Sequence, residues 1–153
     1  MDVVFVCQYG YAKSLVAAMH FERMATERGL PVRVAARGLT PKDAVPQSIV
    51  TALAAEGFDV SAYQPTALGV NDLAGAEYVV TFGVAALEAV DAVVKRWDHV
   101  SALSENYPKA RDEVVALLKQ LLAEIGRDVE ARKHNVHCSI RRIFQASLPY
   151  KQK

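Results

Sequence analysis

Asp2 to Val6 is a β-branched and aromatic run that stops at Cys7 and a polar stretch containing Gly10. Its length suits a buried strand and is too short for a helix. From about Lys13 to Arg28, the apolar residues Ala17, Phe21, Met24 and Ala25 recur at helical spacing, with Glu22, Arg23 and Glu27 between them. Gly29 is placed to close that helix. A strand that turns directly into a helix commits the chain to an α/β arrangement, since parallel strands need such crossovers.

The alternation continues. Val32 to Ala36 reads as a second strand, Gly38 to Pro46 as a turn-rich segment, and Gln47 to Glu56 as a helix closed by Gly57. Asp72 to Ala76 reads as a helical turn, Glu77 to Phe82 as a third strand, Val84 to Val90 as a helix and Ala92 to Trp97 as a fourth strand. A parallel sheet with helices on both faces follows, a three-layer αβα sandwich. Val114, Leu118, Leu121, Leu122 and Ile125 form a stripe on a helix of about Pro108 to Ile125, which Gly126 is expected to end. Beyond it, Ile140, Ile143, Phe144 and Leu148 suggest an extra helix packed on the body. The expected organisation is an α/β domain over 1–125 and a basic extension over 126–153.

With 52% apolar and 23% charged residues in 153, the chain can bury a core and is not disordered. Its apolar runs are too short to span a bilayer, and the first residues carry no basic leader, so the expectation is a soluble, cytoplasmic protein. Cys7 and Cys138 suggest neither a disulfide framework nor a closed zinc site. His134, His137 and Cys138 offer three ligands where structural zinc takes four, so no metal is expected, and no motif calls for a cofactor. Residues 1–125 hold 11 Lys and Arg against 15 Asp and Glu, whereas 126–153 hold 7 against 2. The basic extension has no dense run of like charge and no interleaved aromatics, which disfavours nucleic acid. It pairs more naturally with the acidic body, and any oligomer contact is expected there.

Ligands of open parallel sheets collect at the carboxyl ends of strands, where Cys7 lies. Cys7-Gln8-Tyr9-Gly10-Tyr11-Ala12-Lys13-Ser14 leads from that strand into a helix N-terminus, whose amides lack intrahelical partners and whose dipole is positive. Such a loop can wrap a tetrahedral oxyanion such as phosphate or sulfate, and the same field favours a thiolate nucleophile at Cys7. Ser14 could donate to the sulfur and Lys13 supplies a cation. The alternative is that Cys7 merely fills space at a strand end, as unpaired cysteines often do.

Val3 to Ser14 resembles the low-molecular-weight protein tyrosine phosphatases and their thioredoxin-coupled arsenate reductase relatives, whose first strand runs into a C-x5-R-S loop. Gly57-Phe58-Asp59-Val60-Ser61, Leu73 to Ala76, Glu77 to Phe82 and Arg111 to Ile125 extend the resemblance over about residues 2–125. It implies a four-stranded parallel sheet and phosphomonoester hydrolysis through a phosphocysteine at Cys7, with Gln8 to Ser14 binding the oxyanion. Three departures stand out. Lys13 replaces the loop arginine, keeping the charge but losing the planar fork. Gly10 replaces an asparagine, a compatible change where positive φ is needed. Ser101 stands where the general-acid aspartate is expected, so leaving-group protonation would be lost unless Asp98 or His99 substitutes.

The resolving cysteines of the arsenate reductases have no counterpart at Phe82-Gly83-Val84. Gly10, three residues after Cys7, also resembles enzyme IIB of the sugar phosphotransferase system, which carries a phosphoryl group on cysteine. The expectation is therefore a weak phosphoric monoester hydrolase acting on a phosphorylated ligand. Its alternatives are an inactive oxyanion-binding or interaction module and a phosphocysteine carrier.

Overall fold

A computed structural model describes the backbone of residues 1–146 other than 86, 88 and 89, and side chains through residue 139. Strands β1 (Asp2–Cys7), β2 (Arg33–Gly38), β3 (Tyr78–Thr81) and β4 (Val93–Arg96) form a sheet in the order β2-β1-β3-β4. All neighbours are parallel, with Val4 opposite Ala35 and Val79. Helices α1 (Lys13–Glu27), α2 (Gln47–Ala55), α3 (Val70–Gly75) and α4 (Tyr107–Ala146) complete the fold. The α/β sandwich with four parallel strands is the arrangement expected from the sequence.

The period of two along β1 sorts its side chains between the layers. Val3, Phe5 and Cys7 face α1 and α4, joining Ala17, Phe21 and Ala25 of the first and Val114, Leu118, Leu122 and Ile125 of the second. Val4 and Val6 face the other way, onto Val79, Leu68 and Leu73. Helix α2 packs through Ile49 and Leu53 against Leu15 and Val16 of α1. Cys7 thus leaves the sheet at its carboxyl end, between the helix layer and the loops.

Two expectations are corrected. The helix expected over 84–90 is absent at Val84, Ala85, Leu87 and Val90, while 86, 88 and 89 lie outside the described residues. Leu87 and Val90 lie on the second sheet face instead, so their apolar spacing serves the sheet rather than a helical stripe. Nor does Gly126 end the last helix, which continues to Ala146. A glycine inside a helix costs about 1 kcal/mol relative to alanine, and tertiary contacts outweigh it. Val129 is buried on the main core, Asp128 accepts a hydrogen bond from the Tyr78 hydroxyl, and Arg132 pairs with Glu77. Burial and then Asp128 push the Tyr78 phenol well above its ordinary pKa, so it remains the donor. Of the apolar cluster expected beyond, Ile140, Ile143 and Phe144 have side chains outside the described set, and Leu148 lies outside the described residues altogether.

A polar cluster joins α1, α2 and α4 beside this core. The Glu56 carboxylate accepts from Arg111 at 2.7 Å, from the Tyr107 hydroxyl at 2.8 Å and meets His20 Nε2 at 3.2 Å. Arg23 donates to the Glu56 carbonyl at 2.7 Å and lies 3.6 Å from the centre of the Phe58 ring. Burial acts to raise the Glu56 pKa, but the bonds from Arg111 and Tyr107 and the nearby His20 outweigh it and leave it below its ordinary 4.5. Burial dominates at His20, whose pKa falls below its ordinary 6.5 despite Glu56.

Two outcomes follow from these contacts. A Cβ built on Gly126 meets nothing within 4 Å, so Gly126→Ala should stabilise the protein by about 0.5–1 kcal/mol in denaturant titrations. The folded-state pKa values of His20 and Glu56 are both lowered. As the pH drops below about 6.5 the unfolded chain takes up a proton at His20 before the folded one does, and stability declines. The Glu56 contribution is present above its ordinary 4.5 and is lost as the pH falls through its lower folded value. Glu56→Gln should therefore cost about 2 kcal/mol at neutral pH and flatten the acid limb of the stability curve. An unchanged acid limb would remove the cluster from that role.

Candidate active site

The loop between β1 and α1 is set by where its carbonyls go. The carbonyl of Cys7 accepts from Leu39 N at 3.2 Å, that of Gln8 from Thr40 N at 2.9 Å and that of Tyr9 from Lys42 N at 3.4 Å. The Gly10 carbonyl accepts from the Tyr63 hydroxyl at 2.8 Å, and Gln8 Nε2 reaches Thr40 Oγ1 at 2.8 Å. Four consecutive carbonyls are thus spent on the rim. Among the described residues no peptide bond is cis. In a planar trans peptide the N–H opposes the C=O, so each following amide is turned away from that rim. Among the described residues, the amides of residues 8–15 have no protein acceptor.

Gly10 has φ +70°, the left-handed region that glycine enters at no steric cost. It lies against a second glycine. A Cβ on Gly38 would stand 2.7 Å from Gly10 N and 2.8 Å from the Tyr9 carbonyl carbon, so only glycine lets β2 back the loop this closely. Gly38 is itself held by the 66–68 segment, donating to the Thr66 carbonyl and accepting from Leu68 N, both at 2.9 Å. Burial, and then the neighbouring Cys7, raise the Tyr63 pKa, which keeps it a phenol able to donate.

Within this frame Cys7 Sγ lies 2.8 Å from Ser14 Oγ. Cys7 is 6% exposed and Ser14 wholly buried, so the hydroxyl sits under the sulfur at the base of the loop. The thiol is not walled off. Cys7, Gln8, Tyr9, Tyr11, Ala12 and Lys13 all line one cleft of about 560 Å³, opposite Ile49, Leu103 and Tyr107. Tyr9 and Tyr11 stack, with ring centres 5.7 Å apart and planes at 15°, and Lys42 Nζ is 4.8 Å from the Tyr9 ring centre. Lys13 Nζ donates to the Val100 carbonyl at 2.7 Å. An ammonium has three protons, so two stay available on the cleft wall.

Asp98, an expected catalytic acid, does not line this cleft. It accepts from Gly83 N at 2.9 Å and pairs with Arg96 at 3.2 Å. The Gly83 amide first, then Arg96, outweigh its slight burial and hold its pKa below the ordinary carboxylate value. It is therefore a carboxylate and a poor proton donor near neutrality. Ser101 is also engaged elsewhere, donating to Glu113 through its amide at 2.7 Å and its hydroxyl at 2.9 Å. Those two bonds in turn hold the Glu113 carboxyl below its ordinary pKa. His134 and Cys138 stand one turn apart at 3.6 Å on α4, beyond Val129, the last buried residue among its described side chains. Tyr63, Gly38 and Tyr107 reach the site from segments distant in sequence, and only the glycine in its turn-rich stretch left a local signal.

The family model for low molecular weight phosphotyrosine protein phosphatase matches residues 2–118. A protein of Halobacterium salinarum named "Putative arsenate reductase" is 28% identical over 131 residues, covering 81% of this chain and 92% of its own. The thioredoxin-dependent arsenate reductase of Corynebacterium glutamicum has the same fold, with a TM-score of 0.70 and 19% identity over 83% of this chain, which spans only 62% of that one. The arginine phosphatase YwlE of Bacillus subtilis, solved as a cysteine-to-serine mutant with a phosphorylated active-site serine, superposes with a TM-score of 0.69 and 20% identity over 84% of this chain and 97% of its own. No helix among the described residues is long and apolar enough to cross a membrane. On the match across residues 2–118, the chain belongs to the low molecular weight phosphotyrosine protein phosphatase family.

Proposed function

We propose that the loop from Cys7 to Ser14 binds phosphate or a similar tetrahedral oxyanion, and that Cys7 attacks phosphorus to give a phosphocysteine, with weak hydrolysis of phosphomonoesters. One observation carries this reading: the carbonyls of residues 7–10 are spent on the rim, which leaves the loop amides facing the other way without protein acceptors. Preorganised amides of this kind cost no reorganisation when charge develops. Ser14 Oγ is placed to donate to the sulfur as it leaves phosphorus, and Lys13 adds charge at the cleft wall. The phosphorylated serine of the YwlE mutant supports covalent chemistry at the residue corresponding to Cys7. We place the protein in a reducing cytoplasm, where Cys7 and Cys138 stay thiols, and take residues 126–153 as an extension carried by α4.

A second reading, an oxyanion-binding module without turnover, is favoured by the same site's proton inventory. Asp98 is held on Gly83, and Ser101 is held on Glu113. Loss of leaving-group protonation costs about 10²- to 10⁴-fold in rate.

Two measurements address these readings. Hydrolysis of an aryl phosphate with an acidic phenol should be slow but measurable for the wild type and absent for Cys7→Ser; equal rates would end the hydrolytic reading. In calorimetric titrations, phosphate should bind the wild type and bind Lys13→Ala about tenfold more weakly, a difference of about 1.4 kcal/mol. Gly38→Ala should also lose affinity, because its Cβ would push the Tyr9–Gly10 backbone. A wild type that ignores phosphate would remove the loop from the account.

A further inference from the structure

The two halves of a phosphocysteine reaction make different demands on a proton. Attack by the Cys7 thiolate forms the S–P bond and breaks the bond from phosphorus to the leaving oxygen, which departs with the electron pair. That oxygen needs a proton only if its conjugate acid is weak. Release requires water to attack phosphorus, form a P–O bond, break the P–S bond and return the electron pair to sulfur. The attacking water must then lose a proton to a base.

The cleft is provided unequally for these steps. Sulfur is served by Ser14 Oγ at 2.8 Å, and the phosphoryl oxygens by the loop amides and Lys13. Among the described residues that line the cleft, none is a carboxylate or histidine. Asp98 is engaged elsewhere by Gly83 N and Arg96, and Glu113 of α4 by the amide and hydroxyl of Ser101, while Glu105 and His99 of the neighbouring loop do not line the cleft. Tyr107, on the cleft wall, donates its hydroxyl to Glu56 at 2.8 Å and so is not placed to accept a proton from water.

We propose that this site takes its phosphoryl group from activated donors, acyl phosphates and esters of acidic phenols, and stalls as S-phosphorylated Cys7. The proposal rests on the phosphate-binding reading of the loop. With an acyl phosphate, the leaving carboxylate carries away the electron pair without a proton, so the first half proceeds. The second half lacks its base, and the thiophosphate becomes the resting form during turnover. Its breakdown returns inorganic phosphate and the Cys7 thiolate, so no outside oxidant or reductant takes part.

The experiment is rapid-quench kinetics with the full chain, using acetyl phosphate, a nitrophenyl phosphate and unsubstituted phenyl phosphate, read by leaving-group release and intact mass. The two activated donors should give a burst approaching one equivalent per chain, with a steady rate at least about 100-fold slower. One phosphoryl group should be found on the wild type and none on Cys7→Ala. Phenyl phosphate should give a first step slower by a similar factor or more. Linear release without a burst, or equal first-step rates for the two aryl esters, overturns the proposal. Calorimetric phosphate binding on the same preparation separates the two levels of inference. If phosphate binds and no burst is seen, the proposal alone fails; if phosphate does not bind, the reading of the loop fails with it.

Discussion

The close approach of Gly10 to Gly38 is the contact on which the site depends. Two backbones meet where a single Cβ would stand 2.7 Å from a main-chain nitrogen, and this brings the segment after β2 within hydrogen-bonding reach of the loop after β1. The amides of Leu39, Thr40 and Lys42 then donate to three of the loop carbonyls, and the Tyr63 hydroxyl donates to the fourth. Because a peptide is planar, fixing the carbonyls fixes the amides. The direction of the loop amides is therefore a consequence of bonds made on the loop's opposite side. It is set by the contacts with β2 and the segment after it.

Charge at the site is arranged around that frame rather than by it. Lys13 stands on the cleft wall, but its ammonium is shared with the Val100 carbonyl. A flexible cation tied at one proton presents a point charge, where an arginine fork would present two fixed donors. Asp98 and Glu113 are engaged with Gly83, Arg96 and Ser101, and their pKa values are lowered by those partners. The electrostatics favour holding an anion over moving a proton.

The helix layer couples this cleft to the body of the molecule. Tyr107 begins α4, lines the cleft and donates to Glu56 at the end of α2, while Arg111 one turn later binds the same carboxylate. His20 brings α1 into the cluster. Further along, Asp128 and Arg132 fasten α4 to Tyr78 and Glu77 at the start of β3. One long helix thus braces both the site's far wall and the opposite end of the sheet.

The elements were legible in the sequence wherever a period was sustained. The run before Cys7, the spacing of Ala17, Phe21 and Ala25, and the stripe from Val114 to Ile125 each specify their element, because burial on one face repeats at the pitch of the backbone. So was the loop's composition, with Cys7, Gly10 and Ser14 in order. Local signals failed where distant contacts set the outcome. Gly126 has the look of a helix end, yet Val129, Asp128 and Arg132 find partners across the fold and carry the helix through it. Leu87 and Val90 have helical spacing but lie on a sheet. Asp98 was near Ser101 in sequence, and only the fold turned it toward Gly83 and away from the cleft. Sequence alone determined which residues could do chemistry and that strands would alternate with helices, since both follow from side-chain type and period. Tertiary structure alone decided which way each carbonyl and carboxylate points, because a polar group takes its direction from the partner it finds, and here most of those partners lie a dozen or more residues away.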